Sequence, residues 1–378
     1  MNADNGSTNS IREYDSVAAE NELRGRRVGD EKVRRGAELH GASDGEFSGH
    51  CTRHRKDSAR LAPDEVVTVT ERAAAAVWAA ASRAARGTRA GRDPVDLAAG
   101  LIPSLPRRMV VALHRFRAVG SEHNALLLRG VCPDLTDLPA TPATVTPEEP
   151  MPVVEAAALL LLAVSLPLGE PFTFRSLHGG RLVQHVTPVP GREETQTGAG
   201  SVAALEWHVE DGFTDDRCDY FGLLCLRGHP GAVTMLASAR DLDLAVEAET
   251  VLREPRFVIA PDAAHQLTRH IDLPAVPVLT GPATDPEICF GEGDVRPADP
   301  ADLPAAAALT ALTAALDRAA IGHELRPGDL LIADNRRTVH GRSIFQPRYD
   351  GTDRWLLRAM TCSSIRAHRR RGATRALG

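Results

Sequence analysis

The chain has 378 residues, 43% apolar and 25% charged, which is enough to bury a large core in a soluble protein. Its formal charge of -6 gives no overall electrostatic reason to bind nucleic acid or an anionic membrane. The longest apolar run, Ala156 to Leu168, contains Ser165 and Pro167 and falls short of the roughly 20 residues that a bilayer crossing needs, so it predicts a buried helix.

Residues 1–60 mix Gly, Ser, Asn, Arg and Glu with no sustained period of 3.6 or 2, which predicts a disordered arm. The start, Met1-Asn2-Ala3-Asp4-Asn5, lacks a basic stretch followed by an apolar one, so no secretory signal is expected and the expected location is the cytoplasm. The basic stretches Arg53-His54-Arg55-Lys56 and Arg369-Arg370-Arg371 read as solvated tails. Residues 61–378 are expected to form one catalytic domain. Within it, Asp64 is the expected N-cap of an Ala-rich helix over 66–86 that carries Trp78 on its buried stripe and stops at Gly87. Further helices are predicted over 94–99 (capped by Asp93, stopped by Gly100), 153–164, 242–252 and 304–321, the last ended by Gly322. Short segments rich in branched and aromatic residues predict strands at 125–128, 182–189, 204–210, 220–227, 233–236, 257–259, 330–332, 338–345 and 355–361. No fixed-period repeat interrupts this order. It suits a β-sandwich or jelly roll with outer helices better than alternating βαβ units.

Cys51, Cys132, Cys218, Cys225, Cys289 and Cys362 form no C-x-x-C pair, which argues against a zinc ribbon, an iron–sulfur cluster or a thioredoxin-like site. The chemistry lies in His208-Val209-Glu210. Side chains two apart on a strand point the same way, so the imidazole and the carboxylate can converge on one ion. His340, from Gly328-Asp329-Leu330-Leu331-Ile332-Ala333-Asp334-Asn335 and then His340-Gly341-Arg342, supplies a second imidazole. Two His and one carboxylate on one face of an octahedron leave three positions open, the ligand set of non-haem Fe(II) oxygenases, where a 2-oxo acid and dioxygen (O2) can sit. Arg354, fourteen residues beyond His340, offers a planar, bidentate cation for the distal carboxylate of such an acid, and the Thr234 hydroxyl can add a hydrogen bond to it. The other histidines, His178, His185, His229, His265, His270 and His323, have no partner at ligand spacing and read as surface or hydrogen-bonded residues. His178-Gly179-Gly180 marks a turn.

Taken together, His208-Val209-Glu210-Asp211, the Gly328 to Asn335 run, and His340-Gly341-Arg342 with Arg354-Trp355 and Arg358 resemble the clavaminate synthase-like Fe(II)/2-oxoglutarate oxygenases. The likeness is to their free amino acid hydroxylases, those acting on arginine or asparagine, and spans most of 61–365. It implies a mainly β fold with flanking helices, a double-stranded β-helix of the jelly-roll, cupin-like kind. It implies His208, Glu210 and His340 as iron ligands, Arg354 as the 2-oxoglutarate clamp, Arg358 near the substrate's carboxylate, and Gln184 as a polar contact to its backbone groups. Arginine hydroxylases of this group grip the guanidinium with two acidic residues two apart, usually aspartates, and Glu292 and Asp294 occupy the matching stretch. The implied activity is hydroxylation of free L-arginine or an arginine-derived amino acid at an unactivated carbon, the β-carbon, in specialised metabolite biosynthesis. The alternatives are the same chemistry on lysine or asparagine, desaturation or ring closure, a zinc hydrolase on the same ligands, and a metal-free jelly-roll binding module.

Overall fold

The computed structural model describes residues 60–377 apart from 150, 262–263 and 266–272. The expected N-terminal arm, its basic stretch and His270 lie outside the described residues. In chain order the strands are β1 (Val66–Thr68), β2 (Ala125–Arg129), β3 (Glu170–Phe174), β4 (Val183–Val186), β5 (Leu205–His208), β6 (Tyr220–Arg227), β7 (Val233–Ser238) and β8 (Phe257–Ile259). Then come β9 (Leu279–Thr280), β10 (Glu287–Ile288), β11 (Val295–Pro297), β12 (Ile321–Glu324), β13 (Leu330–Asp334), β14 (Thr338–Arg342), β15 (Trp355–Cys362) and β16 (Ala376–Leu377). The helices are α1 (Glu71–Arg89), α2 (Pro94–Ala99), α3 (Arg107–Val119), α4 (Pro152–Ser165), α5 (Val246–Leu252), α6 (Leu303–Ala319) and α7 (Arg366–Arg370).

A larger sheet of eight strands runs β1-β2-β13-β6-β15-β3-β16, with β4 also paired to β15, and a smaller one of four runs β12-β7-β14-β5. Period-two alternation assigns each side chain to a layer. On β13, Leu330 and Ile332 join α1, α3 and α4 in one apolar cluster. Leu331 and Ala333, on the opposite face, join Leu127, Phe221, Leu356 and Met360 between the sheets, where Leu236 and Ile321 reach in from the smaller sheet. The smaller sheet turns Trp207, Ala237 and Val339 outward onto Leu252 of α5 and Leu312 and Leu316 of α6. Helices, large sheet, small sheet and helices therefore stack as layers, which is the expected jelly roll with flanking helices. The apolar run from Ala156 falls on α4, buried on nearly every side by α1, α2 and the large sheet. Among the described residues no helix is long and apolar enough to cross a membrane.

Several boundaries differ from expectation. Pro63–Glu65 is a 3-10 turn, and Val66–Thr68 pairs in parallel with β2 instead of starting a helix, because β-branched residues suit a strand that finds a partner. The helix begins at Glu71 with Thr70 as N-cap and continues past Gly87. Glycine serves close packing there, since a Cβ at 87 would lie 2.9 Å from Leu97 Cδ2. Gly322 does not end a helix but lies in β12, antiparallel to β7. Helix α5 starts only at Val246, and α3 and β3 were not expected.

Candidate metal centre and substrate cavity

In the smaller sheet β5 and β14 are neighbours, and His208 is the direct partner of His340. Trp207 and Val339 point to the outer helices, so the histidines one residue on turn to the inner face. Their rings stand 4.1 Å apart, centroid to centroid. Glu210 arrives differently: β5 ends at His208, so the carboxylate does not follow from a continuing ladder. Its peptide is held by the fully buried Asn335. Glu210 N–H donates to Asn335 Oδ1 at 2.8 Å, and Asn335 Nδ2 donates to the carbonyls of Glu210 and Cys218, both at 3.0 Å. Removing that amide leaves three buried backbone groups unpaired. Asn335→Ala is expected to cost about 2–4 kcal/mol of stability, read as a lower denaturant midpoint at an unchanged slope.

His340 Nε2 lies 3.4 Å from Glu210 Oε1, and one donor atom from each of His208, Glu210 and His340 lies within 4.8 Å of the others. Adjacent ligands at bonds of ~2.1 Å on an octahedral ion stand about 3 Å apart, so the three could close on one cation with small adjustments. His208 Nδ1–H donates to the Glu206 carbonyl at 2.8 Å, which fixes the tautomer and puts the ring's lone pair on Nε2. Burial pushes the Glu210 carboxyl up, but Arg358, whose NH1 donates to Oε2 at 2.5 Å, and the two imidazoles outweigh that and hold it well below the usual carboxylate range. It is ionised, as a metal ligand must be.

Arg354 enters β15 from inside the sandwich, 6% exposed. Its NH2 donates to Thr234 Oγ1 on β7 at 3.3 Å. Among the described residues no carboxylate lies within ion-pair distance of it, and burial pulls the guanidinium down to about 10, still cationic at neutral pH. A buried cation without an anion is costly, and a dianionic acid bound beside the histidines would supply the missing charge. The donor set and this guanidinium therefore fit Fe(II) and 2-oxoglutarate. Arg358 faces Gln184 across β15 and β4, its Nε and NH2 donating to Gln184 Oε1 at 2.9 and 2.6 Å. Gln184 is 1% exposed and meets Arg358 instead of the cavity.

A cavity of about 670 Å³ is lined by His208, Glu210 and Arg358 and also by Glu206, Glu292 and Asp294. The acidic residues sit there because Gly291 bridges antiparallel to His208 and Glu292 N–H donates to the Trp207 carbonyl at 2.8 Å, laying Gly291-Glu292-Gly293-Asp294 along β5. Glu206 is also close, since a Cβ at Gly293 would lie 2.9 Å from its Oε2. His178, read from sequence as a turn residue, lines the same cavity with a left-handed φ of 46° and a buried Nδ1 that has no hydrogen-bond partner among the described residues. Burial, then Arg358, lowers it to about 4, so it is neutral. His178 carries no spacing signal toward the site, and although Asn335 ends the run that precedes His340 in sequence, its hold on Glu210 is recognised only once the chain is folded.

Residues 113–360 match the taurine catabolism dioxygenase TauD, TfdA family. L-asparagine oxygenase of Streptomyces coelicolor is 41% identical over 258 residues, 67% of this chain and 75% of that protein. Enduracididine beta-hydroxylase of Streptomyces hygroscopicus is 34% identical over 301 residues, 70% of this chain and 84% of that protein. A solved structure of the non-heme iron oxygenase OrfP, in complex with Fe, succinate and (3S)-hydroxy-L-Arg, superposes with a TM-score of 0.74 at 31% identity, covering 83% of this chain and 99% of that one. The chain belongs to the TauD/TfdA family, in its clavaminate synthase-like group of free amino acid hydroxylases. It is an Fe(II)- and 2-oxoglutarate-dependent dioxygenase, which sets aside the zinc hydrolase and the metal-free binding module.

Proposed function

We propose that His208, Glu210 and His340 hold Fe(II), that Arg354 and Thr234 hold the distal carboxylate of 2-oxoglutarate, and that the substrate is free L-arginine or an arginine-derived amino acid, hydroxylated at its β-carbon. Residues 61–378 act as the catalytic domain in this reading. With O2, the bound iron and 2-oxoglutarate supply the oxidising chemistry that turns a C–H bond into C–OH as succinate and carbon dioxide leave. The chain's own residues bind, aim and exclude water. Arg358, held in plane by Gln184, takes the substrate's α-carboxylate. Glu292 and Asp294, in the same cavity, take its cationic end.

The observation that carries this reading is the placing of both acidic residues in one cavity with Glu210 and Arg358. A guanidinium bound there would add a planar cation facing both carboxylates, which a neutral side chain would not supply. Asparagine is the competing substrate, favoured by the 41% identity to an asparagine oxygenase. A panel of free amino acids, assayed by mass spectrometry for the gain of one oxygen, decides between them. Arginine or its relatives are expected to react, and Asp294→Asn is expected to lower kcat/KM for them by about 100-fold, since truncating a buried charge pair costs roughly 2–5 kcal/mol. Oxidation of asparagine with none of arginine overturns the reading.

A further inference from the structure

Directly after Glu210, Asp211 adopts a left-handed φ of 56°, unusual for a residue with a side chain. Its carboxylate is buried, and its one hydrogen bond among the described residues is to His265 Nε2 at 2.7 Å; Oδ2 has none. An ionised carboxylate only accepts, so His265 Nε2–H donates, and Nδ1 then accepts from the Ser176 hydroxyl at 2.8 Å. Both the His265 and the Asp211 side chains are 1% exposed. The rings of Phe174 and Phe213 meet the imidazole edge-on, at centroid distances of 5.4 and 4.8 Å, and close it off from water. Three separate stretches meet at this one ring. Ser176 follows β3 of the larger sheet, Asp211 follows β5 of the smaller, and His265 lies in the connection after β8, whose Ile259, Ala260 and Ala264 line the cavity.

We infer that His265, backed by Ser176, is a positioning residue that locks Asp211 and so aims the neighbouring Glu210 at the metal. The inference rests on the reading of His208, Glu210 and His340 as ligands. Without His265 the buried Asp211 carboxylate has no hydrogen-bond partner among the described residues, and nothing then pins the left-handed backbone that carries Glu210. Losing a partner that holds a ligand's orientation typically costs about 10–100-fold in metal affinity.

The test is anaerobic Mn(II) titration of the full metal-free chain, with melting temperature recorded alongside. The parent protein binding one Mn(II), and His340→Ala losing it, validates the ligand set separately; failure there sinks that reading and not this one alone. Given that control, His265→Ala is expected to weaken Mn(II) binding ~10–100-fold, Ser176→Ala to fall in between, and His265→Gln, which keeps an N–H for Asp211, to recover to within about threefold. His265→Ala binding within threefold of the parent overturns the inference. If His265→Ala does not fold, the double variant Asp211→Asn/His265→Ala, which removes the stranded charge, decides. At least tenfold weaker Mn(II) binding by the folded double variant supports positioning, and parent-like binding reduces His265 to a structural role and overturns it.

Discussion

His340→Ala is expected to reduce succinate formation by at least ~10³-fold, a barrier increase of about 4 kcal/mol at 1.36 kcal/mol per decade. The reason is geometric. His340 is a buried, inward-facing member of β14, with its Nε2 3.4 Å from Glu210 Oε1 and its ring 4.3 Å from that of Phe221. An alanine there leaves one imidazole and one carboxylate, too few donors to hold ferrous ion against water and competing metals. Iron content after anaerobic reconstitution is expected to fall with activity, while far-ultraviolet circular dichroism stays that of the parent. Retained iron with lost activity, or full activity, contradicts the ligand assignment. His208→Ala is expected to behave alike, since its tautomer is already set for ligation by the Glu206 carbonyl.

Arg354 gives the second large effect, with a signature that separates function from structure. Arg354→Met is expected to raise the KM for 2-oxoglutarate by about 100-fold or more, the loss of one side of a buried, bidentate charge pair being worth roughly 3 kcal/mol. Arg354→Lys keeps the charge but not the fork, and is expected to fall between. Thr234→Val, which removes a single hydroxyl, is expected to cost no more than about 1 kcal/mol. The metal-free protein should respond in the opposite sense. Arg354 is buried, donates to Thr234 and has no carboxylate within ion-pair distance among the described residues, so replacing it with an apolar residue is expected to raise the melting temperature. An arginine kept for the fold would show the reverse, a lower melting temperature with 2-oxoglutarate saturation unchanged.

The layers were legible because alternation in the strands is strict. Leu330, Ile332 and Leu357 on one face and Leu331, Ala333 and Leu356 on the other sort themselves by period two. The same alternation explains why the site was legible. His208, His340, Thr234, Arg354 and Arg358 are polar residues at positions that elsewhere in these strands face the apolar space between the sheets, so each is an expense that function has to justify. What could not be read was whatever depends on pairing partners. Val66–Thr68 became a strand only because β2 was there to receive it, and Ile321, expected to end a helix, instead opens a strand that pairs along the edge of β7. Helix α3 buries Met109, Leu113 and Phe116, a 3.6-residue period partly hidden by the helix's five basic residues, Arg107, Arg108, His114, Arg115 and Arg117, and by two exposed valines. Support around the ligands was the least visible. Asn335 and His265 act on Glu210 and Asp211 across 125 and 54 residues of chain, and no local pattern announces such long-range hydrogen bonds.

The most direct test of the account is anomalous X-ray diffraction at the iron edge, from crystals grown without oxygen in Fe(II) and 2-oxoglutarate. The expected result is one iron peak bonded to His208, Glu210 and His340, with the distal carboxylate of 2-oxoglutarate on Arg354 and Thr234. Iron placed elsewhere, or a 2-oxoglutarate whose distal carboxylate leaves Arg354 unpaired, contradicts it.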